Sequence, residues 1–256
     1  MRYPNGLFGW ADLMTRDPGR AIEFYEGLFG WTHVDQPTPM GPPYTQFFKD
    51  GQLVCGLSPM MPGVPEEVGA FWTSYVLVED ADATAAAAEA AGGTISMPPM
   101  DVMDQGRMAM LADPTGAAVG LWQPAAHQGA DVFNAPGSMT WNELQTRDIG
   151  AALPFYETVF GWEWDDGPNP GYYVANIAAK EGDDKSNAGA MTTPPGVPDE
   201  APNVWMVYFA VEDCDTSMAA AEGLGGEVFL PAMEMGPGKF GGLIDPTGGM
   251  FLLGSM

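Results

Sequence analysis

The chain repeats itself. Trp10-Ala11-Asp12-Leu13 followed by Thr15-Arg16-Asp17 returns as Trp141-Asn142-Glu143-Leu144 followed by Thr146-Arg147-Asp148. Ala21, Phe24-Tyr25-Glu26 and Phe29-Gly30-Trp31 return as Ala152, Phe155-Tyr156-Glu157 and Phe160-Gly161-Trp162, again at an offset of 131 residues. Pro62-Gly63-Val64-Pro65 reappears as Pro195-Gly196-Val197-Pro198, and Asp113-Pro114-Thr115-Gly116 as Asp245-Pro246-Thr247-Gly248, with the offset held between 131 and 133. Such a repeat limits the fold more than any composition does, because whatever one half adopts the other must adopt too. The pattern breaks where Pro, Ala, Gly and His127 cluster, which divides the chain into a copy at 1–124, a linker at 125–136 and a copy at 137–256.

A fainter repeat lies inside each copy. A strand over 6–13 is followed by Asp17, a good helix N-cap, and by Pro18, which suits the first helical position. Ala21, Phe24, Tyr25 and Leu28 then recur at helical spacing until Gly30 stops the helix. Short strands are predicted near 31–35, 44–49 and 52–58. The order then starts again: a strand over 72–78, an alanine-rich helix capped by Asp80 or Asp82 and closed by Gly92-Gly93, and strands near 94–97, 107–112 and 117–122. The unit is β-α-β-β-β and the chain holds four of them, an α+β class. Proline-rich loops at 59–65 and 194–202 join the units and are placed to lid them.

Three motifs carry a family resemblance: Phe24-Tyr25 with Phe29-Gly30-Trp31, Val78-Glu79-Asp80 with Gly92-Gly93, and the Asp113-Pro114-Thr115-Gly116 turn, each present again in the second copy. In this order and spacing they resemble the vicinal-oxygen-chelate (glyoxalase/bleomycin-resistance/dioxygenase-like) superfamily, of the tandem two-domain actinobacterial glyoxalase-like or hydroxylase-like type. The resemblance implies two tandem domains of paired βαβββ modules with cup-shaped mixed sheets. In the family's enzymes the cup holds a divalent metal on His, Gln or Glu, and the metal chelates neighbouring substrate oxygens. A second branch binds planar drugs without a metal.

By spacing, the family's ligand positions fall on Trp10, Gly56, Thr73 and Gly120 in the first copy and on Trp141, Gly189, Met206 and Leu252 in the second. None of these is His, Glu or Gln. Zinc, iron and nickel sites need several imidazole, thiolate or carboxylate groups converging on one point, and the chain has two histidines, His33 and His127. The expectation is therefore no metal and no cofactor.

Strand alternation fills the cup instead. If Trp10 and Trp141 face inward, so do Asp12 and Glu143; Thr73 brings Tyr75, Met206 brings Tyr208, and Gly120 brings Trp122. The glycines are expected to widen the space, and aromatic walls with few polar groups suit a flat organic ligand. Trp10, Trp141, Tyr75, Tyr208 and Trp122 are thus candidate ligand contacts, against the ordinary reading of such rings as core. Asp12 and Glu143 are the candidate acid/base groups, since buried carboxylates need partners. Arg107 and Lys239, at matching positions before the two Asp-Pro-Thr-Gly turns, are the expected partners and further ligand contacts, with simple rim salt bridges as the plain alternative.

Composition excludes some classes. With 34 acidic against 9 basic residues the formal net charge is −25, which repels phosphate backbones and anionic lipid. Met1 to Trp10 has no secretory pattern, and Cys55 and Cys214 make neither a metal cluster nor a disulfide framework, so a cytoplasmic protein is expected. Two functional readings stay open: a metal-independent binder of a planar aromatic small molecule, in drug resistance or as a biosynthetic accessory, and a lyase, isomerase or oxygenation-accessory enzyme using Asp12 or Glu143. A small-molecule ligand is the expected partner, without nucleic acid or membrane, and the chain is expected as a monomer or homodimer.

Overall fold

A computed structural model describes residues 2–39, 41–182, 184–235 and 238–255. The first module runs β1 (Phe8–Thr15), α1 (Pro18–Phe29), β2 (Thr32–Gln36), β3 (Tyr44–Lys49) and β4 (Gln52–Pro59). The second runs β5 (Phe71–Leu77), α2 (Ala81–Ala90), β6 (Thr94–Val102), β7 (Gly106–Ala112) and β8 (Ala118–Pro124). The third is β9 (Met139–Thr146), α3 (Ile149–Phe160), β10 (Glu163–Asp166), β11 (Tyr172–Asn176) and β12 (Ser186–Thr192). The fourth is β13 (Val204–Ala210), α4 (Cys214–Gly223), β14 (Glu227–Met235), β15 (Gly238–Ile244) and β16 (Met250–Ser255).

Local chemistry sets these bounds. The Asp17 carboxylate accepts from the Arg20 amide at 3.1 Å and Gly30 closes α1 at φ 65°, a conformation that costs glycine little. Asp80, not Asp82, caps α2 by accepting from the Ala83 amide at 2.9 Å. The strand predicted over 94–97 continues to Val102 through Pro98-Pro99. It lies at the outer end of its sheet, where a missing N–H is tolerated, and bulges between Ile95 and Met97 and between Met97 and Met100 absorb the irregularity.

The strands form two mixed eight-stranded sheets, ordered β2-β3-β4-β1-β5-β8-β7-β6 and β10-β11-β12-β9-β13-β16-β15-β14. Two compact units divide the chain differently from the repeat. The first comprises Met1–Trp10, Ser74–Gly129 and Trp141–Met206, and the second Ala11–Thr73, Ala130–Thr140 and Val207–Met256. Packing thus groups the second module with the third, and the first with the fourth.

The repeated motifs explain that grouping. In the first unit Tyr156 of α3 donates to Asp113 Oδ2 at 2.9 Å and accepts from the Trp205 indole at 2.7 Å. Asp113 Oδ1 meanwhile holds its own turn, accepting from the amide and hydroxyl of Thr115 and from the Ala117 amide at 2.8, 2.7 and 3.1 Å. The second unit repeats the device: Tyr25 of α1 donates to Asp245 Oδ2 at 2.8 Å and accepts from Trp72 at 2.9 Å. Burial pushes both tyrosines well above their usual range, and the neighbouring Asp charge adds to it. Around each sits an aromatic core, Phe29, Trp31, Phe47, Phe209 and Phe251 with Tyr25 in one, and Phe8, Phe160 and Trp162 with Tyr156 in the other. Among the described residues no helix is long and apolar enough to cross a membrane. Both cysteines are buried, and burial raises both thiols.

Candidate functional site

In the first unit one row of residues crosses three strand pairs in register: Asp165, Val174, Gly189 and Glu143. Cross-strand partners share a sheet face, and alternation along β9 adds Trp141 and Gln145 to it. Gly189 makes room in this row for a neighbouring side chain. A Cβ there would overlap the Tyr172 hydroxyl and come within 2.8 Å of the Trp141 Nε1. The hydroxyl lies on bare backbone, accepts from Trp141 Nε1 at 2.9 Å and hydrogen-bonds Glu143. Gln145 Nε2 donates to Glu143 Oε1 at 3.0 Å. Glu143 is 4% exposed, whereas Trp141 and Tyr172 are half-buried. Burial first, and the Glu143 charge second, push the Tyr172 hydroxyl far up, so it keeps its proton at any physiological pH.

The second unit holds the counterpart. Asp12 pairs with Gly56, and Gln46 lies opposite Gly56 on the other side. Tyr44 donates to Asp12 Oδ2 at 3.3 Å, and a Cβ on Gly56 would overlap its hydroxyl. Gln36 donates to Gln46 at 3.0 Å on the same face.

The faces from the second and fourth modules are apolar. In the first unit Tyr75 pairs with Gly120, which faces Met110, while Trp122 faces Met108 and Met108 faces Met100. The Tyr75 ring occupies the space over Gly120. In the second unit Tyr208 pairs with Leu252, which faces Gly242, and the Phe229 ring covers that glycine. The expectation that glycines widen the cup is corrected at 56, 120 and 189: in each case a tyrosine from a neighbouring strand fills the space.

Trp10 and Trp141 are not equivalent in their surroundings. Trp10 is 3% exposed and meets the His127 ring edge-on at 4.4 Å between centroids. Trp122 donates its indole N–H to the His127 carbonyl at 2.9 Å. His33 lies 2.7 Å from Glu26.

Arg107 and Lys239 are engaged away from the candidate carboxylates. Arg107 grips Asp82 of α2 through two bonds of 2.7 and 2.9 Å and reaches Asp101 at 2.9 Å, while Lys239 pairs with Asp215 of α4. Alternation accounts for this. Met108 and Met110 lie on the Trp122 and Gly120 face, so Arg107 between strand and helix points the other way. The tyrosines Tyr44 and Tyr172 stand where the basic partners were expected. They escape detection in the sequence because Tyr44 precedes Gly56 by 12 residues and Tyr172 precedes Gly189 by 17, so the repeat offset does not align them. The loops at 59–65 and 194–202 are strapped rather than free. Arg16 donates to the carbonyls of Val64 and Pro65 at 3.0 and 2.6 Å, and Arg147 to those of Pro198 and Ala201 at 2.6 Å. Surface cavities of about 450 and 250 Å³ lie in the second unit, lined by Lys49, Gly137 and Glu212 and by Arg16, Arg20 and Glu66, and neither is lined by Asp12.

The Glyoxalase/Bleomycin resistance protein/Dioxygenase superfamily model matches residues 7–121, and a glyoxalase-like domain model matches residues 141–253. The chain is 40% identical over 255 residues to "Putative glyoxylase CFP32" of Mycobacterium tuberculosis, covering 97% of this chain and 94% of that one. The chain belongs to the glyoxalase/bleomycin resistance/dioxygenase superfamily. Within it, the "Anthracycline biosynthesis protein DnrV" of Streptomyces peucetius is 38% identical over 261 residues, covering 98% of this chain and 93% of that one. The Mn(II)-bound glyoxalase from Novosphingobium aromaticivorans shares the fold at a TM-score of 0.65 and 15% identity, covering 98% of this chain and 83% of that one.

The superfamily's metal finds a poor donor set in this member. At two of the positions where its ligands would project, Gly56 and Gly189, no side chain exists and a tyrosine hydroxyl fills the space. Among the described residues no three His, Cys, Asp or Glu side chains are grouped to hold an ion. The residues present do not fit such a metal.

Proposed function

We propose that this chain binds a planar aromatic small molecule without a metal, using the half-buried Trp141 and Tyr172 and the carboxylate of Glu143, with Asp12 and Tyr44 as the matching set of the other copy. The observation that carries the reading is the Trp141-Tyr172-Glu143 chain of hydrogen bonds. It sets a partly exposed indole beside an ordered polar group, and one apolar wall with a few placed polar groups is how small-molecule sites achieve orientation. The methionine-rich face of Met100, Met108 and Met110 supports it, because methionine adapts to ligand shape. Similarity to the DnrV and DauV anthracycline biosynthesis proteins of Streptomyces, at 38% and 35% identity, supports a polycyclic aromatic ligand and an accessory role in its biosynthesis.

A second reading makes Glu143 or Asp12 an acid/base group of a lyase, isomerase or oxygenation-accessory enzyme. It is favoured by the direct hydrogen bond from a tyrosine hydroxyl to each carboxylate, which holds the carboxylate in one orientation. Metal-stripped protein in a thermal-shift screen against zinc, nickel, iron(II) and manganese and against hydroxylated anthraquinones tests the first reading. A ligand at a hundred times its Kd adds about 2.7 kcal/mol, several degrees in melting temperature. Stabilisation by anthraquinones supports binding. Stabilisation by a metal alone would sink the metal-free reading. Turnover that is lost in Glu143→Gln while affinity is kept would move the enzyme reading forward.

A further inference from the structure

We infer that the Trp141-Tyr172-Glu143 chain is an acceptor anchor: it selects ligands that present a hydrogen-bond donor, a phenolic O–H or an ammonium N–H, against carboxylates and methyl ethers of the same ring system. This deepens the binding reading above and rests on it. An indole has one N–H and no acceptor, and a tyrosine hydroxyl has one hydrogen and two lone pairs. The Trp141 hydrogen is spent on Tyr172, at 2.9 Å. The Tyr172 hydrogen is spent on Glu143. What the half-buried Tyr172 still offers is the second lone pair of its hydroxyl.

Gly189 holds this polarity in place. Its lack of a side chain lets the hydroxyl lie against the strand between indole and carboxylate, and any Cβ would overlap it. The basic side chains of the module agree. The basic residues of the third module are turned to backbone oxygens: Arg147 to Pro198 and Ala201, Lys180 to Ser186, and Lys185 to Lys180. A ligand carboxylate would meet a lone pair and a buried anion on this face, while the module's cations are engaged elsewhere.

The polarity is set by Glu143, so it is reversible. In Glu143→Gln the new amide N–H can donate to the Tyr172 oxygen, which frees the tyrosine hydrogen to point outward. The anchor then becomes a donor.

The test is affinity of the full chain for four probes that share one ring: 2-hydroxyanthraquinone, 2-(aminomethyl)anthraquinone, 2-methoxyanthraquinone and anthraquinone-2-carboxylate. The hydroxyl and ammonium probes are expected to bind the unsubstituted protein at least about 10-fold tighter than the methoxy and carboxylate probes, a factor equal to ~1.4 kcal/mol. Whichever of the two donors is tighter names the group the site prefers. In Tyr172→Phe, where the indole N–H is set free, the ratio is expected to fall to within about 3-fold of unity. In Glu143→Gln the methoxy and carboxylate probes are expected to gain on the donors. Tyr173→Phe, one residue along β11 and so on the opposite face of the sheet, should leave the ratio unchanged. Equal binding of hydroxy and methoxy probes to the unsubstituted protein, or a preserved ratio in Tyr172→Phe and Glu143→Gln, overturns the inference while leaving the binding reading intact. Failure of all four probes to bind overturns both.

Discussion

Replacing Tyr156 by Phe removes a single oxygen from a fully buried polar junction of the first unit, and the structure gives the size of the loss. The hydroxyl donates to a carboxylate that is 3% exposed and accepts the only N–H of the Trp205 indole. A hydrogen bond to a charged group contributes about 1.5–3 kcal/mol, and a buried donor left unpaired costs a further ~1–3 kcal/mol. The ring itself stays, so no cavity larger than one oxygen opens. The expected destabilisation is about 3–5 kcal/mol, a large part of the roughly 5–15 kcal/mol typical of a folded domain. For a chain of this length that corresponds to a fall in melting temperature of roughly 6–20 °C. Urea denaturation followed by tryptophan fluorescence measures it. Tyr25→Phe should cost the second unit a similar amount, because Asp245 and Trp72 repeat the contacts. Adding Trp205→Phe to Tyr156→Phe removes the stranded N–H, and the double variant should lose less than the sum of the two single losses by about 1–3 kcal/mol. If both tyrosine variants lost less than about 0.5 kcal/mol, the paired Tyr–Asp contacts would not be what fastens the Asp-Pro-Thr-Gly turns.

Three further outcomes are expected. Tyr25, Tyr156 and Tyr172 all have raised hydroxyl pKa values, so their contribution to stability is complete below the unfolded value near 10 and is lost as pH rises above it. Stability should therefore hold to about pH 9 and fall beyond it, with a shallower fall in Tyr25→Phe; an unchanged slope in that variant would discount the buried tyrosines as the cause. Gly189→Ala should cost about 1–3 kcal/mol by displacing the Tyr172 hydroxyl, and the cost should shrink in a Tyr172→Ala background, measured by the same denaturation curves. Arg147→Ala should expose the 194–202 loop to limited proteolysis with little change in the melting temperature, since the guanidinium bonds there are to surface carbonyls; persistent resistance would show that the prolines alone hold the loop.

The fold was legible because its signals are local. Asp17 with Pro18 and Gly30 mark α1 at both ends, and the strand expected over 6–13 is found two residues further on as Phe8–Thr15. Asp12 and Glu143 could be found from the same alternation, since each stands two residues from a repeated tryptophan. Their partners could not. Tyr44 and Tyr172 reach them from separate strands, across loops of different length, and only the strand pairing aligns the two. The glycines misled for a related reason: a missing side chain marks either an open space or a neighbour's ring, and only the packing separates the two cases. Arg107 and Lys239 were placed at the right height along their strands but on the wrong face, a one-residue difference that alternation turns into opposite sides of a sheet. Met100 was hidden from Met108 and Met110 by the bulges of β6, which break the period from which a face is read.

The two tyrosine clasps also bear on how the gene can be cut. Tyr25 closes on Asp245, and Tyr156 on Asp113. A truncated chain ending in the linker would keep one half of each clasp and lose the other. Such a half should not persist as a monomer, and two identical halves could mate by trading turns, Tyr25 of one with Asp113 of its sister. Seen this way, the duplication supplies within a single polypeptide the partner that an isolated copy would have to find by collision, and the linker between the copies makes that pairing independent of concentration.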